Sequence, residues 1–138
     1  MKMTRAEQEA FLTEVHVSVI AINAEGRGPV TMPIWYKYEP GGEIVMTTQA
    51  DSLKAVMLRK AGRFTLCVQQ ETLPYKYVTV EGPVTNITNA DLEKDIRPIA
   101  ERYLAPERAN RFVNSLRNSH ELVIRMKPER WFSRVFNL

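Results

Sequence analysis

The feature that most narrows the fold is a succession of short alternating stretches, mostly sequential and linked by turns. Val15, Val17, Val19 and Ala21 alternate with His16, Ser18, Ile20 and Ile22, and the run stops at Asn23-Ala24-Glu25-Gly26. A second such stretch covers residues 30–38 and a third 43–48. Between them Glu39-Pro40-Gly41-Gly42 allows the positive φ of a tight hairpin, so these two are expected to pair antiparallel. Strands are expected again at 63–69, at 75–87 after the turn Glu71-Thr72-Leu73-Pro74, and at 121 to about 126.

Helical spacing interrupts this pattern four times. A short amphipathic helix, with Ala6, Ala10 and Phe11 apolar, ends near Thr13. Residues 51–60 place Leu53, Val56, Met57 and Lys60 on one face, with Asp51 as N-cap and Gly62 as stop. Leu92, Ile96, Ile99, Ala100 and Tyr103 form a stripe with an expected kink at Pro98. Pro106 then opens a helix whose inward residues are Phe112, Val113 and Leu116. Sequential antiparallel strands with helices over their open ends imply a mainly β fold, a small barrel of about six strands. With 138 residues, 44% apolar and 25% charged, one domain over 1–138 is expected, large enough for its own core.

Several function classes fall away. The longest apolar stretch is far below the ~20 residues of a membrane helix, and the N-terminus turns acidic where a signal peptide needs its apolar segment, so a cytoplasmic protein is expected. A net charge of +3 comes from 19 basic and 16 acidic residues interleaved along the chain, without a basic stripe, which argues against nucleic acid as a partner. Two histidines, His16 and His120, and one cysteine offer no metal-ligand spacing. Cys67 lies in a strand and is expected to be a packed, inert thiol, and His16 a satisfied strand histidine. Neither a serine-nucleophile elbow nor a phosphate-binding glycine loop is present, and Gly26-Arg27-Gly28 reads as a turn.

Two features carry chemistry. In Thr47-Thr48-Gln49-Ala50-Asp51-Ser52-Leu53-Lys54 a strand ending in two hydroxyls hands over to a helix start. Free N–H groups and the helix dipole suit a phosphate there, and a lysine in the first turn is electrostatically misplaced unless an anion compensates it. The alternative is that Asp51 caps the helix and Lys54 extends into solvent. The second feature is a strand face carrying Tyr75, Tyr77, Thr79 and Glu81 opposite the core residues Val78 and Val80. So aromatic a face meets either a ligand or a second subunit.

These segments resemble, over nearly the whole chain, the split-barrel flavin-binding superfamily that includes pyridoxamine 5′-phosphate oxidase and the deazaflavin-dependent reductases. The run Pro33-Ile34-Trp35-Tyr36-Lys37-Tyr38, the turn Gly41-Gly42, the handover from Thr47-Thr48 to Ser52 and Lys54, Gly62-Arg63, and Tyr75 to Gly82 stand in the family's order. The resemblance implies a six-stranded antiparallel split barrel and a homodimer with two cofactor clefts at the subunit interface. It implies that Thr47, Thr48, Ser52 and Lys54 hold the cofactor phosphate, that Pro33, Ile34 and Trp35 lie along the ring system, and that Tyr75 and Tyr77 reach in near the interface. The chain ends Arg130-Trp131-Phe132-Ser133-Arg134-Val135-Phe136-Asn137-Leu138, without the histidine-containing segment that grips substrate phosphate in the vitamin oxidases. The Pro33-Ile34-Trp35 run and the basic helix around Arg59 are more similar to the subgroup using coenzyme F420. The expected function is hydride transfer from F420 to a flat, unsaturated small molecule. The alternatives are an FMN oxidoreductase using the same pocket and a carrier without turnover.

Overall fold

The computed structural model describes residues 1–138 and contains seven strands and four α-helices. Helix α1 (Arg5–Thr13) opens with a capping box between Thr4 and Glu7. Strands β1 (Ser18–Ile22), β2 (Val30–Ile34) and β3 (Ile44–Gln49) follow, then α2 (Leu53–Ala61), β4 (Arg63–Gln70) and the long β5 (Tyr75–Asn89). A π-helical turn (Leu92–Ile96) leads into α3 (Arg97–Tyr103), and α4 (Pro106–Ser115), β6 (Glu121–Met126) and β7 (Arg130–Phe136) complete the chain.

All pairing is antiparallel, in the order β2-β1-β4-β5-β6-β3, with β7 joined to β5. Strand β5 works twice. Its first half, from Tyr75 to Glu81, lies between β4 and β7, and after an irregularity between Val84 and Asn86 its second half pairs with β6. The sheet curls, and its two ends meet only where Lys37 bridges Val45. The expected hairpin between the second and third strands is therefore reduced to this one bridge: β2 pairs with β1, and β3 pairs with β6. Side chains explain why β2 stops at Ile34. Trp35 stacks on Tyr103 with ring centres 4.9 Å apart, and the Tyr36 N–H donates to the Tyr103 hydroxyl, so α3 takes over the strand's continuation.

The barrel interior is filled by Ile20, Ile22, Leu66, Val68, Val78 and Val80 from one half and by Ile44, Met46, Ile124 and Met126 from the other. A smaller core of Ile96, Ala100, Ala109 and Val113 holds α3 and α4 together. Several sequence expectations shift. The buried face of α1 is Gln8, Phe11 and Leu12, with Ala6 and Ala10 outside. That of α2 is Ala55 and Leu58, leaving Leu53 and Val56 exposed, and its N-cap is Ser52 rather than Asp51. Gly62 ends α2 at φ 72°, as its position suggests. Pro98 falls at the start of α3, where its missing N–H costs nothing, and the wide turn before it replaces the expected kink. His16 lies outside the strands, stacked on Phe11 at 4.6 Å. Cys67 is partly exposed, because Phe64, Leu66 and Val68 hold the inner face of β4 and put it on the outer one. The seventh strand, β7, is absent from the sequence expectation of about six.

Two buried tyrosines tie α1 to the barrel. The Tyr36 hydroxyl donates to the Leu12 carbonyl, and the Tyr38 hydroxyl donates to Glu9 Oε1 at 2.5 Å. Burial, then the bond to Glu9, pushes the Tyr38 phenol up to about 12, and burial pushes Tyr36 up as well. Between the ordinary value near 10 and the folded one, the native chain binds more protons than the unfolded chain. Stability is therefore full below pH ~10 and falls as pH rises through this window. Urea midpoints at pH 9 and pH 11 should show the fall, and Tyr38→Phe should make it shallower.

Candidate active site

A cavity of about 330 Å³ opens where β2, β3 and α2 meet α3 and α4. Pro33, Ile34 and Trp35 form one wall, Thr47 and Lys54 a second, and Ile99 and Phe112 a lid from the helices. Trp35 is clamped between Tyr103 and Phe112, the latter 5.4 Å away. Tyr103 is itself fixed by donating to the His16 carbonyl at 2.8 Å. The result is a rigid, flat aromatic wall.

Lys54 sits in the first turn of α2 and pairs with no carboxylate. It also makes no hydrogen bond to a side chain, and burial holds its ammonium below the ordinary lysine range. A half-desolvated cation at a helix N-terminus, with no carboxylate in ion-pair contact, could hold an anion. Lys54 is half-buried, between the two expectations of full solvation and enclosure.

Alternation along β3 divides the other expected phosphate ligands. Thr47 faces the cavity. Thr48 points to the barrel side, is buried, and lies 3.0 Å from Ser52 Oγ, which in turn accepts from the Ala55 N–H to cap α2. Thr48 and Ser52 thus hold the helix start in place, while Thr47 and Lys54 line the space itself. Arg59 is exposed near the far end of α2 and does not reach the cavity. Tyr75 and Tyr77 line a separate depression on the outer face of β5, beside Phe136 of β7.

Two groups escaped the sequence reading. Phe112 and Ile99 were assigned to packing between helices, and only the tertiary fold lays them over the cleft. Glu121 lines the same cavity and is only 6% exposed, its Oε2 accepting from Ser119 Oγ at 2.6 Å. A signal existed: an acid opens the apolar run Leu122-Val123-Ile124. No three metal-ligating side chains converge in the fold.

The sequence profile of pyridoxamine 5′-phosphate oxidase matches residues 4–135. The chain belongs to that family. Similar solved structures agree in fold. An F420 reductase superposes with TM-score 0.72 at 17% identity, covering 90% of this chain and 94% of its own. A conserved hypothetical protein of Mycobacterium tuberculosis reaches 0.78 at 24% identity, with 98% and 86% covered. An FAD-binding protein of Mesorhizobium loti reaches 0.63 at 16%, with 96% and 93% covered. No protein of curated function matches the sequence. The family is one of flavin-type oxidoreductases, and the protein is an oxidoreductase of that class with a split-barrel fold.

The residues present fit a flavin-type group. Trp35 supplies a flat wall and Lys54 a cation for the phosphate. The volume is at the small end of the ~300–1,000 Å³ usual for ligand pockets, so only part of such a cofactor would be enclosed by one chain.

Proposed function

We propose that the protein is a cytoplasmic, homodimeric oxidoreductase that uses coenzyme F420 to pass a hydride to a flat, unsaturated organic molecule. The observation carrying this reading is Lys54, desolvated and unpaired at a helix start beside the Trp35 wall. When bound, the deazaflavin supplies the hydride from its ring carbon. The chain itself binds, orients and excludes water: Lys54 and Thr47 receive the phosphate, and Pro33, Ile34 and Trp35 lie along the ring. Preference for F420 over FMN is supported by the cations beyond the cavity. Arg59 and Lys60 occupy the last turn of α2, and Lys60 and Arg27, with Glu25 the one acid among the lining, flank a depression beside that helix, a net cationic surface for a polyglutamate tail.

The homodimer is supported by the outer sheet face. Val19 is 45% exposed, Phe132 58% and Phe136 41%, and the register places Phe132 opposite Thr79 and Phe136 opposite Tyr75. A contiguous apolar and aromatic face of this kind fits a second copy, which would bring its own Tyr75 and Tyr77 toward the open side of the cleft.

Titration of purified protein with F420 and with FMN tests the cofactor. Tighter F420 binding with reduction of an unsaturated acceptor is expected. Release of yellow FMN from the preparation would replace F420 by FMN, and F420 binding with no electron transfer to any acceptor would make the protein a carrier. Light scattering should give about 32 kDa, twice the 15.9 kDa chain, and Phe132→Asp should return it toward monomer. A monomer that binds cofactor tightly would defeat the shared cleft.

A further inference from the structure

The cavity holds two ionisable side chains of opposite sign, and only one of them has an assigned task. Lys54 is the cation; Glu121 is the anion, nearly sealed from solvent and without a cationic partner. Its one hydrogen bond is from Ser119 Oγ to Oε2. The other carboxylate oxygen is neither bonded by the protein nor closed off, since the sole sealed and unpartnered side-chain polar atom in the fold is Arg102 Nε.

The sheet register places this charge beside the anion site. Thr47 pairs with Val123, and Glu121 lies two residues from Val123 on the same face, so Thr47 and Glu121 are diagonal neighbours with Cα atoms roughly 7–8 Å apart, and both side chains line the one cavity. Within one partly dry cavity, a carboxylate and a bound phosphate repel appreciably. A terminal phosphate monoester carries about −1.5 to −2 near neutral pH. A phosphodiester carries one negative charge per phosphate, as in the nucleic-acid backbone. One ammonium neutralises the second and leaves about one uncompensated charge on the first in a partly dry cleft, where a neighbouring carboxylate repels the dianion about twice as strongly.

We infer that Glu121 is a specificity-determining residue, a fixed negative charge that makes the cleft prefer a monoanionic phosphodiester over a terminal phosphate dianion. This rests on the proposal that Lys54 and Thr47 receive a cofactor phosphate. It deepens that proposal by naming the ester class accepted and the side chain that rejects the other.

Two ligands with the same ring differ in phosphate charge, FMN as a monoester and riboflavin 4′,5′-cyclic phosphate as a diester, and the change in their ratio between parent and variant reads the charge apart from the shape of the ester. The parent should bind the cyclic ester about tenfold more tightly than FMN by fluorescence titration. Glu121→Gln keeps an acceptor for Ser119 and removes the charge, so FMN affinity should rise about tenfold and that of the cyclic ester only about threefold, since repulsion scales with the ligand's charge. Ser119→Ala keeps the charge and should keep the parent's preference, which a merely structural role for Glu121 would not do. A parent that prefers FMN, or a Glu121→Gln variant with an unchanged ratio, overturns the inference. Lys54→Ala separates the two levels: if it weakens both esters while Glu121→Gln leaves their ratio alone, only the role of Glu121 fails. If it leaves both esters unaffected, the phosphate reading itself fails.

Discussion

Lys54→Ala should weaken cofactor binding roughly ten- to a hundredfold, the effect of losing a charge-assisted hydrogen bond of about 1.5–3 kcal/mol. The same substitution should leave the empty protein as stable as the parent or slightly more so. The reason is local. Lys54 stands in the first turn of α2, where the helix dipole disfavours a cation, and it is half-buried with no carboxylate in ion-pair contact. Its removal relieves both costs. Cofactor titration and thermal unfolding of the same sample read the two effects, which have opposite signs. A lowered melting temperature together with unchanged affinity would make Lys54 structural and remove the anion site. Because burial lowers the Lys54 pKa, anion binding should also fade with rising pH before an ordinary lysine would lose its charge.

Gly82→Ala should be the most damaging single methyl group in the fold. A Cβ on Gly82 would stand 1.8 Å from the Lys127 carbonyl oxygen and 2.8 Å from its carbon, both backbone atoms. Neither strand can retreat cheaply. Glu129 N donates to the Glu81 carbonyl at 2.9 Å and Lys127 N to the Pro83 carbonyl at 3.1 Å, so the chain entering β7 is bonded on both sides of the clash. Overpacking of this kind costs about 3 kcal/mol or more, enough to lower Tm by about 10 °C in a domain of this size. Gly28→Ala is the control: nothing lies within 4 Å of its Cβ, and stability should hardly change. Equal melting temperatures for the two variants would show that the β5 crossing is looser than its hydrogen bonds imply. Loss of Gly82 should reach the outer face as well, since Glu129 leads directly into the strand that carries Phe132 and Phe136.

Local pattern was enough for most elements, because alternation, caps and turn residues act over a few neighbours. Gly62 stops α2, Pro106 opens α4, and the alternation of Val78 and Val80 with Tyr77 and Thr79 orients β5. The same short range explains the errors. Leu53 and Val56 have helical spacing and were assigned to the core, yet Ala55 and Leu58 pack inward, since a nine-residue helix with few apolar positions leaves its phase to the sheet it lies on. Residues 43–48 looked like the partner of residues 30–38 because a Pro-Gly-Gly turn joins them. Pairing is decided by which edge the curled sheet presents, and β6, distant in sequence, holds β3 along its whole length.

From its sequence alone the protein's class was determined: a mainly β domain, with hydroxyls and a lysine gathered at the junction of a strand and a helix and a strand face more aromatic than solvent exposure requires. Those properties live in side-chain period, hydroxyl and lysine placement, and the mismatch of a cation with a helix N-terminus, all of which are local. Tertiary structure decided what shares a space. It turned Thr48 away from Thr47, carried Arg59 off the cleft, laid Phe112 across it, and set Glu121 beside the place where an anion would bind. These are outcomes of strand register and sheet curvature, which depend on pairings between residues as far apart as Gln49 and Glu121. No period along the chain encodes such a pairing.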